Sequence, residues 1–334
     1  MAIKVALNGM GRIGRCILRH YIQSNRDDIE IVAVNATGDI ARHVHLLKYD
    51  SVHGVLDAEV SGGDDFFDAG RGKMVRFNDR DPANIDWAAT GADIVLECTG
   101  HFRTRDGAEK YRAISDVKVM ISAPSPDADS TIVWGVNNDA LKADHRIVSI
   151  GSCTTNCLAP VAKVLNDNIG IERGYVTTVH AYTSDQNLVD GAHKDLRRAR
   201  SAALSMIPTS TGAAKAIGLV LPELNGKLDG SAIRVPTPNV SLVDFKLDVS
   251  RETSEDEINK LMEDASKGAL KGILGYNEAP LVSCDFNRNP NSSVFDATGT
   301  CVIDGKFVRV SSWYDNEWAF SVRMLDIAAH WGNM

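Results

Sequence analysis

The sequence predicts an α/β protein in two parts. Residues 1–152 read as a doubly wound, mainly parallel sheet, completed by a C-terminal helix at about 316–334, and 153–315 as an α+β part with a large mixed or antiparallel sheet. Three observations carry this. Short β-branched runs alternate with helical patterns in the first part; a glycine-rich turn follows the first run; and the runs after residue 153 are longer, with few helices between them.

Taken in order, "KVALNG" (4–9), "IVAVN" (31–35), "DIVLECTG" (93–100), "VKVMISAP" (117–124) and "STIVWGVN" (130–137) are continuous apolar runs, the signature of strands buried on both faces. Around 57–77 the pattern turns Gly- and Asp-rich and predicts a hairpin-like antiparallel insertion. A helix is expected over 154–167, then strand-like pieces at 174–183, 231–250, 280–286 and 306–315. The last segment predicts a helix with Asp315 as N-cap and Trp318, Val322, Leu325 and Ala329 on its apolar face.

Composition narrows the classes. The chain has 334 residues, 44% hydrophobic and 24% charged, an ordinary globular balance. With 36 basic against 44 acidic residues the net charge is −8, which argues against a nucleic-acid footprint over the whole surface. The exception is the basic stretch "HKDLRRAR" (193–200), which reads as a solvated loop or an anion site. No apolar run is long enough for a membrane span, and the opening residues lack a secretory pattern. Six cysteines without paired CxxC spacing suit free thiols, so the expectation is a cytoplasmic protein with no metal site.

Gly9, Gly11 and Gly14 in "NGMGRIGR" (8–15) have G-x-G-x-x-G spacing directly after a strand and before a helix. Glycines there allow a tight turn and close backbone approach, so a pyrophosphate can sit on the helix N-terminus. The usual partner is an acidic residue about 20 positions on, bonded to the adenosine 2′-hydroxyl. Here the second strand ends "VNATGD" and that position is Ala36. Losing the carboxylate removes a bond to NAD and also the repulsion that excludes a 2′-phosphate. Thr37, Arg42 and His43 are candidate phosphate donors, whereas Asp39 argues the other way.

In "IGSCTTNCL" (150–158) two cysteines stand four residues apart, one helical turn. Ser152 is a good N-cap, which places Cys153 in the first turn, where the helix dipole is expected to lower a thiol pKa. Cys157, one turn deeper, reads as an inert core thiol. A nucleophilic cysteine needs a base, and "TTVHAYTSDQ" (177–186) offers His180. A thiolate beside a nicotinamide suits an aldehyde: addition gives a hemithioacetal, hydride leaves to the cofactor, and a second nucleophile takes the thioester. Phosphate as that nucleophile would need donors; Ser152, Thr154, "TSTG" (209–212), Arg234 and the loop at 197–200 are candidates.

With "KYDSVHG" (48–54), "ECTG" (97–100), "SCTTNCLAP" (152–160), "PTSTGAAKA" (208–216), "RVPTPNVS" (234–241) and "WYDNEW" (313–318), these motifs resemble phosphorylating glyceraldehyde-3-phosphate dehydrogenases across nearly the whole chain. The resemblance implies a Rossmann domain, a catalytic α+β domain and a homotetramer, with glyceraldehyde 3-phosphate and inorganic phosphate as substrates, in glycolysis or gluconeogenesis. It implies Cys153 as nucleophile and His180 as base. Thr183 and Arg234 would hold the substrate phosphate; Ser152, Thr154, Thr211 and Gly212, with Arg198, would hold the attacking phosphate. NAD or NADP would be held by Gly9, Gly11, Arg12, Ile13, Gly14, Asn35, Ala36, Thr37, Thr99, Gly100 and Ser122, with Asn316 on the nicotinamide carboxamide.

Departures from the family pattern bear on the cofactor. Ala36 stands where NAD-specific members carry an acid, and Gly191-Ala192 replaces a Leu-Pro or Gly-Pro pair, so NADP is expected to be accepted. Ile150-Gly151 and Phe320 also depart, without removing a reacting group. The nearest rival is erythrose-4-phosphate dehydrogenase, against which Thr211 and Gly212 suit an inorganic-phosphate site. A nucleotide sensor, or an interaction protein using the basic loop for RNA, would not need Cys153, His180, Arg234 and Asn316 together.

Overall fold

β1 (Ile3–Asn8) is a run of apolar residues, and Gly9 lets the chain turn out of it at a φ of +101° into α1 (Arg12–Ser24). The same alternation then repeats through β2 (Ile29–Asn35), α2 (Ile40–Lys48), β3 (Lys73–Phe77), β4 (Ile94–Glu97), β5 (Lys118–Ile121) and β6 (Ile147–Ser149). These six strands pair in parallel in the order β3-β2-β1-β4-β5-β6. It is the doubly wound order, whose strand sequence reverses between β1 and β4. The short strands Phe66–Asp68 and Ser61–Gly62 extend the β3 edge antiparallel, where the hairpin was expected, and Ser130–Thr131 extends the β6 edge. One face of the sheet is packed by Trp87, Tyr111, Val119 and Ile147, all buried.

This is a computed structural model, and it describes residues 2–334. The chain forms two compact units, the first running to Ile132 and including 138–151 and 321–334, the second comprising 133–137 and 152–320. "STIVWGVN" (130–137) is therefore not one strand. Only Ser130 and Thr131 are extended; Gly135 at φ +85° and the Asn137 side chain, which accepts from Val133 N at 2.8 Å, close a turn that clusters with the second unit.

The second unit opens with α3 (Cys153–Ile169), capped by the Ser152 side chain, and continues into the long strand β7 (Ile171–Ala181). β8 (Leu228–Val235), β9 (Ser241–Val249) and β10 (Phe307–Tyr314) complete the centre of an eight-stranded mixed sheet. β7 pairs parallel to β8 and antiparallel to β9, and β9 antiparallel to β10. The run 231–250 is broken into two strands at 236–240, where Pro236 and Pro238 supply no N–H and Val240 adopts a φ of +68°. The strand expected at 280–286 is absent. Asp285 there accepts from Val282 N at 2.8 Å and folds Ser283–Phe286 into a 3₁₀ turn, and the sheet strand is instead Ser293–Asp296. α3 packs on the sheet through Leu158, Val161 and Leu165, against Phe245, Val310 and Tyr314.

α4 (Trp318–Gly332) ends the chain, with Asp315 accepting from Trp318 N at 2.8 Å as an N-terminal cap does. Trp318, Val322, Leu325 and Ala329 are all buried, as their spacing predicts. From Ser321 on the helix belongs to the first unit, where the Trp331 indole donates to Lys142 O at 3.1 Å.

Candidate active site

In the first unit a cavity of about 670 Å³ opens at the carboxyl ends of β1, β2 and β4, where doubly wound sheets bind ligands. Gly9, Gly11, Asn35, Thr37 and Thr99 line it, together with His43 and Arg80. The glycines have distinct reasons to be there. A Cβ on Gly14 would lie 2.1 Å from Gly9 O, so only glycine lets α1 approach the turn; a Cβ on Gly9 would lie 2.8 Å from Thr99 Cγ2. Gly11 meets nothing and leaves the α1 N-terminus without a side-chain cap. Unpaired N–H groups at such an end attract anions.

Other expected cofactor residues sit around this cavity rather than in its wall. Ala36 is fully buried, its N–H donating to Phe77 O at 3.0 Å, so Thr37 is the residue that lines the cavity just after β2. Asp39 accepts from Ala41 N at 2.9 Å as the cap of α2. Arg12 pairs with Asp50 at 2.6 Å. Burial pushes the Asp50 carboxyl up, but the amides of His53 and Val52 and the Arg12 guanidinium outweigh it and hold it at about 2. Ser122 N donates to Glu97 O at 3.0 Å, and the Gly100 amide is bonded to the Glu97 carboxylate. Ile13, beside Arg12 in α1, is half-buried.

In the second unit, Cys153 begins α3 and its Sγ lies 3.6 Å from His180 Nε2, near the end of β7. His180 Nδ1 lies 2.6 Å from Ala181 O, which can only accept, and 3.0 Å from Arg234 Nη1, which can only donate; the shorter contact assigns the proton to Nδ1 and turns the lone pair of Nε2 toward the thiol. Burial and then the nearby Arg234 charge pull the His180 pKa down to about 3, against the Ala181 bond. The imidazole is therefore neutral, and these surroundings hold it so. Burial pushes the Cys153 thiol up, while the Arg234 guanidinium and the donors of Thr154 and its own backbone pull it down. The expectation that the helix start alone lowers this pKa is not met: enclosure in the protein outweighs it. Cys157 behaves as a core thiol, pushed up to about 12 by burial.

Arg234, on β8, is aligned with His180 by the β7–β8 register. Its Nη1 donates to Ala181 O at 3.0 Å and lies 3.5 Å from Thr183 Oγ1, while its Nε is buried with no partner. A half-buried guanidinium with a donor left over, next to a threonine hydroxyl, is an anion site in waiting. Arg198 reaches the Thr209–Gly212 segment, its Nε donating to Thr209 Oγ1 at 3.0 Å and its Nη2 to Ser210 O at 3.3 Å. Thr211 Oγ1 accepts from Ala213 N at 3.2 Å, and Gly212 starts the following helix with no side-chain cap. The hydroxyls of Ser152 and Thr154 are engaged elsewhere: Ser152 caps α3, and Thr154 bonds the Tyr314 hydroxyl at 2.8 Å. Asn316 is buried and accepts from Ser241 Oγ at 2.8 Å.

The sequence did not single out Tyr314, whose ring packs edge-on against His180 at 5.9 Å and whose hydroxyl also meets Thr178 at 2.9 Å. A tyrosine ending an apolar strand carries no signal of that role.

Comparison with known proteins agrees with this geometry. The family model described as glyceraldehyde 3-phosphate dehydrogenase, NAD binding domain, matches residues 3–105, and that described as its C-terminal domain matches 152–316. The chain belongs to the glyceraldehyde-3-phosphate dehydrogenase family. It is 56% identical over 334 residues to the glyceraldehyde-3-phosphate dehydrogenase of Xanthobacter flavus, covering 100% of both chains. It is 54% identical to that of Cereibacter sphaeroides, again over 100% of both, and 54% identical over 332 residues to that of Geobacillus stearothermophilus, over 99% of this chain and 98% of the relative. In a glyceraldehyde-3-phosphate dehydrogenase the first-unit cavity is the place for a dinucleotide, and its residues fit one. The glycine packing leaves backbone, not side chain, facing the ligand, and the α1 start is open to a pyrophosphate. No helix among the described residues is long and apolar enough to cross a membrane.

Proposed function

We propose that the protein oxidises D-glyceraldehyde 3-phosphate to 1,3-bisphosphoglycerate, reversibly, through a thioester on Cys153. The observation that carries this reading is the pair Cys153 Sγ and His180 Nε2 at 3.6 Å, with the unpartnered Nε of Arg234 beside it. The thiol proton passes to His180 Nε2 as sulfur adds to the aldehyde carbon. When bound, the nicotinamide supplies the acceptor for the hydride that leaves the hemithioacetal carbon. Arg234 and Thr183 hold the substrate phosphate and fix the aldehyde against sulfur. Inorganic phosphate, held by Arg198, Thr211 and Gly212 with the α3 start at Ser152 and Thr154, attacks the thioester carbonyl. The Cys153 thiolate leaves, and a proton returns to it from His180.

The cofactor is NAD, and NADP is accepted. This rests on the lack of an acid at the end of β2 itself: Ala36 is core, Asp39 is a helix cap, Thr37, His43 and Arg80 face the cavity, and the acid in its wall, Asp79, accepts from Asp81 N at 2.8 Å and from Asn84 Nδ2 at 3.1 Å. Arg12 and Ile13 lie at the pyrophosphate end, and Asn316 holds the nicotinamide carboxamide. The chain assembles as a homotetramer in the cytoplasm. Leu188, Leu196, Leu204 and Met206 are 75–85% exposed in one segment, a surface that a second copy would cover, and all six cysteines are free thiols. Light scattering tests the assembly; a monomer would sink it.

Initial rates with D-glyceraldehyde 3-phosphate, comparing NAD with NADP and omitting phosphate in one arm, test the chemistry. Strong phosphate dependence is expected, and turnover indifferent to phosphate would favour an erythrose-4-phosphate-type hydrolytic end to the reaction. Turnover with NAD alone would remove the NADP proposal and leave the dehydrogenase.

A further inference from the structure

Glu97, the last residue of β4, is wholly buried beneath the dinucleotide cavity, and the groups bonded to its carboxyl oxygens are neutral donors. Oε1 accepts from Thr99 N at 2.7 Å, from Gly100 N at 2.9 Å and from the Thr99 hydroxyl; Oε2 accepts from Asn8 Nδ2 at 2.9 Å and from the Tyr111 hydroxyl. Five donors converge on two oxygens. A carboxyl group presents oxygen on both sides, whereas a glutamine would turn an NH₂ toward donors whichever way it lay.

The loop this carboxylate holds carries the glycine turn. Gly9 packs so closely on Thr99 that a Cβ there would meet Thr99 Cγ2 at 2.8 Å and Thr99 N at 3.0 Å. The network also continues sideways, from Glu97 to the Asn8 amide and from Asn8 Oδ1 to Asn35 Nδ2 at 2.6 Å. Asn35 in turn clasps the backbone of Asp79, at 2.8 and 3.2 Å. The ends of β2, β1 and β4 are thus tied together across the point where the strand order reverses, and Asn8, Gly9, Asn35 and Thr99 are all cavity wall.

We propose that Glu97 is a positioning residue for the dinucleotide: its buried carboxylate fixes the Thr99–Gly100 loop, and through it the seat of the glycine turn, without touching the ligand. The proposal rests on reading the cavity as the dinucleotide site. The two amide bonds to Oε1 lie in a closed, buried network, and the depth of the group in the sheet keeps it from facing a pyrophosphate directly.

The test pairs NAD affinity, by calorimetry on the full-length protein, with hydrogen exchange of the Thr99 and Gly100 amides in the unliganded state. Glu97→Gln is expected to weaken NAD binding at least tenfold and to lose protection at both amides, with KM for the aldehyde at saturating NAD within twofold of wild type. Tyr111→Phe removes a donor on the Oε2 side alone and is expected to change the affinity less than threefold. Glu97→Asp, which keeps an all-acceptor group, is expected to bind more tightly than Glu97→Gln, and it serves if the glutamine variant does not fold. Affinity that follows protection across these variants bears the proposal out. A variant that loses protection yet binds as wild type overturns it, as does equal loss in Tyr111→Phe and Glu97→Gln. Wild-type protein that binds no dinucleotide would instead overturn the reading of the cavity, while the exchange data would still report on the loop.

Discussion

The two sites of this protein are built on opposite principles. The cavity of the first unit rests on backbone: Gly9 and Gly14, whose close contacts leave no room for a side chain, an open helix start at Gly11, and the Asn8 and Asn35 amides bonded to each other. The cluster in the second unit is made of side chains that are deliberately incomplete, with a neutral imidazole facing a thiol and a buried guanidinium nitrogen lacking a partner. A ligand common to many proteins needs shape and a few aligned amides, which backbone supplies rigidly. A reaction needs groups that change protonation and charge, which only side chains can do. The first site should therefore fail when atoms are added, the second when atoms are removed.

The largest effect is expected from removing sulfur. Cys153→Ser keeps the helix cap at Ser152 but replaces a good nucleophile and leaving group with a poor one. Phosphorylating turnover should fall on the order of 10⁴-fold. NAD affinity, measured by titration, should stay within threefold, because no Cys153 atom lines the cavity of the first unit. Parallel loss of both would merge the two sites and defeat the comparison.

Adding one methyl group to the first site comes next. Gly14→Ala puts a carbon 2.1 Å from Gly9 O, a contact that no rotamer relieves, so α1 must move away from the turn. The expected cost is about 1–3 kcal/mol in stability, read as a lowered Tm, with NAD binding weakened more than tenfold. Gly212→Ala is the control in the second unit: its Cβ meets nothing within 4 Å and its φ is −86°, so Tm should hold.

How far the sequence carried these two sites follows from the same contrast. The glycine spacing was legible because a backbone site leaves a short local pattern, and Cys153 with its Ser152 cap was legible because helix starts do too. His180 and Arg234 were found by residue chemistry, but their meeting required the parallel β7–β8 register, which pairs residues 54 apart in sequence. Glu97 was passed over as part of a motif, since its five donors come from Asn8, Tyr111 and its own following loop. The run at 280–286 misled because its apolar residues Leu281, Val282 and Phe286 suggest a strand, whereas a single Asp285 carboxylate bonding Val282 N decides for a turn. The predicted fall in the Cys153 pKa failed for a related reason: burial is a property of the folded surroundings, not of a helix start.

Arg234 allows the second site to be broken gradually. Its charge favours the Cys153 thiolate and disfavours the His180 imidazolium. In Arg234→Leu the rate of Cys153 alkylation by iodoacetamide, which rises with pH as thiolate forms, should shift its whole profile to higher pH. KM for glyceraldehyde 3-phosphate should rise about tenfold to a hundredfold, as expected for a lost bond to a charged group. An unshifted alkylation profile would remove Arg234 from the electrostatics of the thiol and leave it as a substrate ligand alone.

The smallest expected effect probes a place where the first site meets its ligand through a side chain. Thr37 faces the cavity at the end of β2, and the carboxylates nearest in sequence are withdrawn from that position, Asp39 by capping α2. Thr37→Asp restores a carboxylate where doubly wound folds place one against the adenosine 2′-oxygen. A 2′-phosphate would then meet a like charge, whereas a 2′-hydroxyl would gain an acceptor. The ratio of kcat/KM for NADP over NAD should drop about tenfold, equivalent to about 1.4 kcal/mol. Ala36→Asp should not reproduce this shift: Ala36 is wholly buried, so its carboxylate would enter the core and lower Tm instead. If Ala36→Asp alone moved the cofactor ratio, residue 36 would be the selective position, and the first site would discriminate its ligand through the strand end rather than through the loop that follows it.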